Sequence, residues 1–173
     1  MAELARKSLA FDELFILETG LAIKRQGVRK EPGIEFRPDG TLEVRLRALF
    51  PYKLTGAQER VLAEIKADMT SAHPMNRLVQ GDVGSGKTIV SLIAALSAVE
   101  SGYQAAIMAP TEILAEQHYL TIHSYAESLG IRASLLTASV KTAARKSALA
   151  LIKNGEVDLI VGTHALIQKD VEF

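Results

Sequence analysis

The pattern of hydrophobic residues along this sequence changes near residue 55. Residues 3–26 carry apolar side chains at helical spacing, and Gly27 follows as a stop, so the pattern predicts a helix there. Residues 34–47 alternate apolar and polar positions around a Pro-Asp-Gly turn, which predicts a β-hairpin. The polar stretch between them is predicted to be a linker.

From residue 55 onward, helical patterns alternate with short apolar runs. The predicted helices cover 56–70, 87–101, 112–128 and 141–153, and the predicted strands cover 77–80, 105–109, 132–136 and 157–161. Strands that alternate with helices of a dozen or more residues indicate βαβ units. The sequence therefore predicts an α/β fold with a parallel sheet and flanking helices.

Composition narrows the possible chemistry. The chain has no cysteine, which excludes a thiolate metal site, a disulfide framework and a cysteine nucleophile. Its four histidines are scattered along the sequence, which argues against a histidine metal cluster. It has no apolar run long enough to span a bilayer and no secretory signal pattern, so we expect a cytoplasmic protein without a membrane partner. Since 20 basic residues balance 20 acidic ones, any nucleic-acid role must depend on a few placed contacts or on positive charge supplied from elsewhere.

One eight-residue segment matches the phosphate-loop pattern G-x-x-x-x-G-K-[ST]: it reads Gly81-Asp82-Val83-Gly84-Ser85-Gly86-Lys87-Thr88. It follows a predicted strand and opens a predicted helix, as that pattern requires, which favours a nucleotide site over a chance Gly-rich turn. Glycines let backbone N–H groups converge on a phosphate, and the helix N-terminus adds partial positive charge. Lys87 would reach the β- and γ-phosphates, and Thr88 would ligate Mg²⁺.

Three further segments narrow the family. They are Phe50–Gln58 before the phosphate loop, Met108–His118 after it, and Val161–Leu166 near the end. In this order they resemble the Q-motif and motifs Ia and Ib of superfamily 2 helicases. The stretches at 9–14, 77–80 and 163–168 make the chain most similar to RecG-type branched-DNA helicases. Transcription-repair coupling translocases share a similar motor and fit less well before residue 50.

The resemblance implies roles for particular residues. Gln58 would pair with adenine, because a Gln amide both donates and accepts, and this implies ATP as the cofactor together with Mg²⁺. DNA backbone contacts are implied at four positions at the ends of strands: Pro110, Thr111, Gly162 and Thr163. Thr111 is also explained without DNA, as the N-cap of the following helix.

The resemblance also implies a fold and a domain order. It implies a truncated RecA-like P-loop domain at 55–173, preceded by a helical connector at 1–32 and the β-hairpin at 33–54. The Walker B acid is expected after residue 173, with further strands that lie inside the sheet. We therefore expect the chain alone to be catalytically inactive, with unpaired apolar edges and marginal stability.

The function that this implies is ATP-driven remodelling of branched DNA, such as stalled forks and Holliday junctions, in recombination and repair. The parent protein is expected to be a monomer. A P-loop ATPase acting on a protein or small-molecule partner remains open, since the neutral net charge favours it slightly.

Overall fold

The computed structural model describes residues 11–22, 32–140 and 142–173. In these ranges the helices are α1 (11–22), α2 (Thr41–Ala48), α3 (Gly56–Met69), α4 (Lys87–Glu100), α5 (Glu112–Leu129) and α6 (Thr142–Lys153). The strands are β1 (Ala105–Met108), β2 (Ala133–Leu136) and β3 (Leu159–Gly162), and a 3-10 helix covers His164–Ile167. Apart from 77–80, the elements predicted after residue 55 are confirmed with small shifts at their ends.

The three strands form one parallel sheet in the order β1-β3-β2. Central β3 is buried along its whole length, and its Leu159 pairs with Ala105 on one side and Ala133 on the other. Successive strand residues point to opposite faces. Leu159 and Val161 accordingly join one hydrophobic cluster and Ile160 joins another.

Helices cover both faces of the sheet. The larger cluster draws buried residues from α2, α3, α4 and α5, among them Leu46, Leu62, Leu96 and Ile122. The smaller cluster lies under α6 and includes Ala148 and Ile152. A sheet covered on both faces is typical of parallel α/β domains.

The predicted β-hairpin at 34–47 is wrong. Residues 32–39 have no regular structure, and α2 begins at Thr41. Leu42 and Leu46 stand one helical turn apart on one face, so the apolar pattern suits a helix as well as a strand. The i,i+4 pair of Glu43 and Arg47, with a 2.7 Å ion pair, favours the helix.

Segment 33–36 instead joins the end of α3. The Gly33 N–H donates to Ala72 O at 2.9 Å and the Phe36 N–H to Met69 O at 3.1 Å. The predicted domain limits at residues 32 and 54 stay a prediction. However, α2 contributes the fully buried Leu46 to the same core as α3 and α4.

The predicted strand at 77–80 is not a strand in this structure. It has no neighbour in the sheet among the described residues, and Leu78 is 89% exposed. A strand needs a hydrogen-bonding partner, and within the described ranges the strand that pairs with β1 is β3. An apolar groove of about 710 Å³ borders both Val79 and residues 105–107 of β1.

Part of the predicted helix at 3–26 and most of the predicted linker lie outside the described residues; 11–22 are helical, as expected. The apolar side chains of α1 are exposed in this structure, and the rings of Phe11 and Phe15 stack with centroids 5.9 Å apart. None of the helices in the described ranges is both long and apolar enough to cross a bilayer.

Candidate functional site

The segment Gly81–Thr88 forms a loop that ends in the first turn of α4. Gly84 and Gly86 have φ values of 81° and 84°, in the left-handed region that L side chains rarely adopt. A Cβ on Gly86 would also collide with Nε2 of Gln58. Both glycines are therefore required by the path of the loop.

The N-terminus of α4 is open to a ligand. Its N-cap is Gly86, which has no capping side chain, and its first turn contains no acidic residue. By contrast, side chains cap the N-termini of α3 and α5. The first N–H groups of a helix have no partner within the helix, and the helix dipole favours an anion there. The end of α4 therefore has the chemistry that a phosphate requires, and phosphate binding there stays a prediction.

Lys87 lies against the inside of this loop. Its Nζ donates to Gly81 O and Asp82 O, both at 2.7 Å, and lies 3.5 Å from Ser85 Oγ. The loop therefore curls around the ammonium group, and its own carbonyls hold the cation. An anion entering the loop would compete with these carbonyls for the ammonium group, and a charged partner makes the stronger hydrogen bond.

Gln58 joins α3 to the phosphate loop. Its Oε1 accepts from the Thr55 N–H at 2.8 Å, which completes a capping box at the start of α3. Its Nε2 donates to Ser85 O at 2.8 Å. An amide oxygen has two lone pairs and an amide nitrogen two hydrogens. One acceptor site and one donor therefore remain on Gln58, the pair that the N6 and N7 edge of adenine requires.

The roles of the remaining loop residues in binding a nucleotide stay predictions. Asp82 and Val83 are exposed, and Thr88 is half-buried in the first turn of α4. Among the described residues, no group of three or more acidic or histidine side chains is arranged to hold a metal. The role of Thr88 as one Mg²⁺ ligand therefore stays a prediction.

The predicted DNA-contacting segments meet at one edge of the sheet. Met108 pairs in register with Gly162, and the Ala109 N–H donates to Gly162 O at 2.8 Å. Pro110 and Thr111 are exposed there, and Thr111 Oγ1 accepts from the Leu114 N–H at 3.3 Å, which confirms it as the N-cap of α5. Carboxyl edges of parallel sheets are where ligands bind.

Gly162 and Thr163 have structural roles at this edge. A Cβ on Gly162 would collide with the carbonyl oxygen of Leu136 in β2. Thr163 is 2% exposed, and its Oγ1 accepts from the Ala165 N–H at 3.5 Å. A direct contact from Thr163 to a DNA phosphate would require this end of β3 to move. The DNA contacts at these positions stay predictions.

Sequence reasoning missed several contacts around Gln58. The T-x-x-Q capping box was recognisable from the spacing of Thr55 and Gln58. The bond from Gln58 to Ser85 joins residues far apart in sequence and has no local pattern. The same holds for the ion pair between Arg47 in α2 and Glu59 in α3.

The chain is similar to known proteins over nearly its whole length. Over 98% of its length the chain is 49% identical to the ATP-dependent DNA helicase RecG of Synechocystis, and over 99% it is 47% identical to that of Bacillus subtilis. It spans 21% and 25% of those relatives. A solved structure of RecG bound to a three-way DNA junction superposes with a TM-score of 0.89 at 43% identity, covering 98% of this chain and 23% of that one.

A family model gives the assignment directly. The DEAD/DEAH box helicase model matches residues 55–172, which contain the phosphate loop, Gln58 and both strand-end segments. The parallel sheet with helices on both faces is that of the RecA-like helicase fold. By its fold, its phosphate loop and this match, the chain belongs to the DEAD/DEAH box helicase family.

Proposed function

We propose that this chain is the ATP-binding part of a motor that remodels branched DNA in recombination and repair. The observation that carries the proposal is the uncapped N-terminus of α4 with Lys87 held inside the loop and Gln58 fixed beside it. The 0.89 TM-score to RecG on a three-way junction supplies the substrate class. Since the chain spans about a quarter or less of its relatives, the activity belongs to the whole protein.

Different residues of the loop bind different parts of the nucleotide and its metal ion. The loop N–H groups and the N-terminus of α4 bind phosphate oxygens, and Lys87 neutralises their charge. Thr88 supplies one oxygen ligand for Mg²⁺. When bound, Mg²⁺-ATP supplies the phosphoanhydride bond whose cleavage drives movement on DNA. Catalysis in this class is mainly positioning and charge stabilisation.

Gln58 gives selectivity for adenine. Its free acceptor site suits the adenine N6 amine and its free donor suits N7. Guanine presents acceptors at both O6 and N7, so one side of the amide would face guanine unpaired. Sites that leave a buried polar group unpaired discriminate strongly against the wrong ligand.

The exposed strand ends provide a path for DNA. Pro110 and Thr111 lie at the edge where β1 and β3 end, and backbone contacts there would position DNA without reading its sequence. Monomeric action, implied by the resemblance, and a cytoplasmic location, expected from the sequence, belong to the same proposal.

The test is DNA stimulation of ATP hydrolysis by the full-length helicase that carries this segment. We expect a three-way junction to raise the rate of phosphate release well above the rate without DNA. The rival function, an ATPase with a protein or small-molecule partner, predicts no stimulation by any DNA. That result would contradict the proposal.

A further inference from the structure

Helix α2 packs against α4 and α5, and its C-terminal end reaches the start of α3. Its Leu46 is fully buried between elements of the larger cluster. Its N-terminus is held by the carboxylate of Glu100, at the end of α4, which accepts from the Gly40 N–H at 3.1 Å and from the Leu42 N–H. Burial raises the pKa of Glu100, and these two N–H bonds oppose that rise. Both ends of α2 are therefore anchored to the core.

Arg47, in the last turn of α2, connects this helix to α3. Its two terminal nitrogens bind the two oxygens of Glu59 at 2.5 and 2.9 Å, and its Nε donates to Glu43 at 2.8 Å. A two-point contact of a guanidinium with a carboxylate fixes direction as well as distance. The hydrogen bond from Arg47 holds the pKa of Glu59 below its usual value.

Glu59 directly follows Gln58 in the first turn of α3. Thr55, Gly56 and Ala57 of this turn are exposed, so few packing contacts hold it. The half-buried Leu54 contacts the core just before it. The paired Arg47 and Glu59 side chains therefore supply a directional tie between the first turn of α3 and the core.

We infer that Arg47 is a positioning residue for Gln58. It fixes Glu59, and through the shared helical turn it sets where the Gln58 amide stands relative to Ser85 and the bound base. The role rests on the proposed reading of adenine by Gln58. The hydrogen bonds of Arg47 go to Glu43 and Glu59 and not to the phosphate loop.

Lys66 provides a matched control. It also pairs with Glu43, at 2.5 Å, but it stands in the last turn of α3, far along the helix from Gln58. Removing either cation takes one partner from Glu43. Only removal of Arg47 breaks the two hydrogen bonds that tie Glu59 to α2.

The experiment measures kcat/KM for ATP and for GTP in the full-length helicase. Arg47→Ala should lower the ATP:GTP ratio about two- to fivefold, the range expected for loss of an exposed ion pair, mainly through a higher KM for ATP. Lys66→Ala should leave the ratio unchanged. Arg47→Lys keeps the positive charge beside Glu43 but cannot make the two-point contact with Glu59, so it should restore only part of the ratio.

Three outcomes would overturn the inference. The first is an unchanged ratio in Arg47→Ala while Gln58→Ala lowers it, which leaves the adenine role of Gln58 standing. The second is an equal loss in Lys66→Ala, which indicates a general loss of stability. The third is an unchanged ratio in Gln58→Ala, which refutes the adenine role and this inference together.

Discussion

Gln58 serves two parts of the molecule through the two ends of one amide. The oxygen caps α3 and the nitrogen holds the phosphate loop at Ser85. A change at this position therefore acts on helix stability and on the nucleotide site, and the two effects need separate variants.

Gln58→Glu separates them, because it keeps an oxygen for the Thr55 N–H but loses the donor to Ser85 O and to adenine. We expect the ATP:GTP ratio of kcat/KM in the full-length helicase to fall by at least about fivefold, as a polar partner is left unpaired. Gln58→Ala should do the same and also lower the unfolding midpoint through loss of the cap.

Gln104 is the control. Its amide also bonds two backbone carbonyls, those of Ile152 and Val157, outside the phosphate loop. Gln104→Ala should leave nucleotide selectivity intact. An ATP:GTP ratio that is the same in wild type and Gln58→Glu would show that Gln58 does not read the base.

The phosphate loop was predictable at residue level because its chemistry fixes eight consecutive positions. Gln58 was predictable only through a family resemblance. Its bond to Ser85 was not, because it depends on how α3 packs against the start of α4, and sequence spacing does not contain that packing.

Among the helices, α2 shows why local patterns mislead. Its N-cap, Gly40, offers no side-chain cap; Asp39 accepts from the Thr41 N–H, and the N–H groups of Gly40 and Leu42 donate to Glu100, which is distant in sequence. Leu42, Val44 and Leu46 fit a strand by alternation and a helix by the i,i+4 pair. Tertiary packing decided between them.

Helix α5 was predicted correctly because its own residues mark its ends. Thr111 caps the start, and Gly130, with a φ of 76°, ends it. The same cap stands at the predicted DNA-contacting edge, so alanine at position 111 would mix a stability loss of about 1 kcal/mol with any loss of DNA contact.

Thr111→Asp separates the two effects, because aspartate caps helices well but repels a phosphate. We expect an unfolding midpoint close to wild type and weaker DNA binding, by a similar factor on unrelated sequences, measured by fluorescence anisotropy on the full-length helicase. Thr121→Asp, an equal charge change at an exposed site further along α5, is the control. Equal losses in the two variants would argue against a contact at Thr111.

At the scale of the whole molecule, the described sheet has three strands. β1 borders the apolar groove, and residues 77–80 reach the phosphate loop without a partner strand. The alternation of helices and strands was readable from sequence. The sheet order β1-β3-β2 was not, because periodicity specifies an element and not its neighbours.

Two aspartates follow the phosphate loop in the sequence, Asp158 and Asp170. Asp158 accepts from the Arg132 N–H at 2.7 Å, and Asp170 pairs with Arg145 at 2.9 Å. The hydrogen bond from Arg145 lowers the pKa of Asp170. Both carboxylates are thus committed to structural contacts.

We therefore expect the 173-residue chain by itself to release no phosphate from ATP in the presence of Mg²⁺, with or without branched DNA. Malachite-green detection of phosphate checks this. Turnover that Lys87→Ala abolishes would show that the chain carries a complete catalytic site.

The unwinding of a three-way DNA junction by the full-length helicase, with Lys87→Ala beside wild type, tests most directly whether this loop powers the motor. Lys87→Ala should abolish ATP-dependent unwinding while junction binding persists, because the ammonium that neutralises the phosphates is gone. Lys146→Ala, at an exposed site on α6, should unwind like wild type. Unwinding by Lys87→Ala at the wild-type rate would contradict the assignment of this loop as the ATP site.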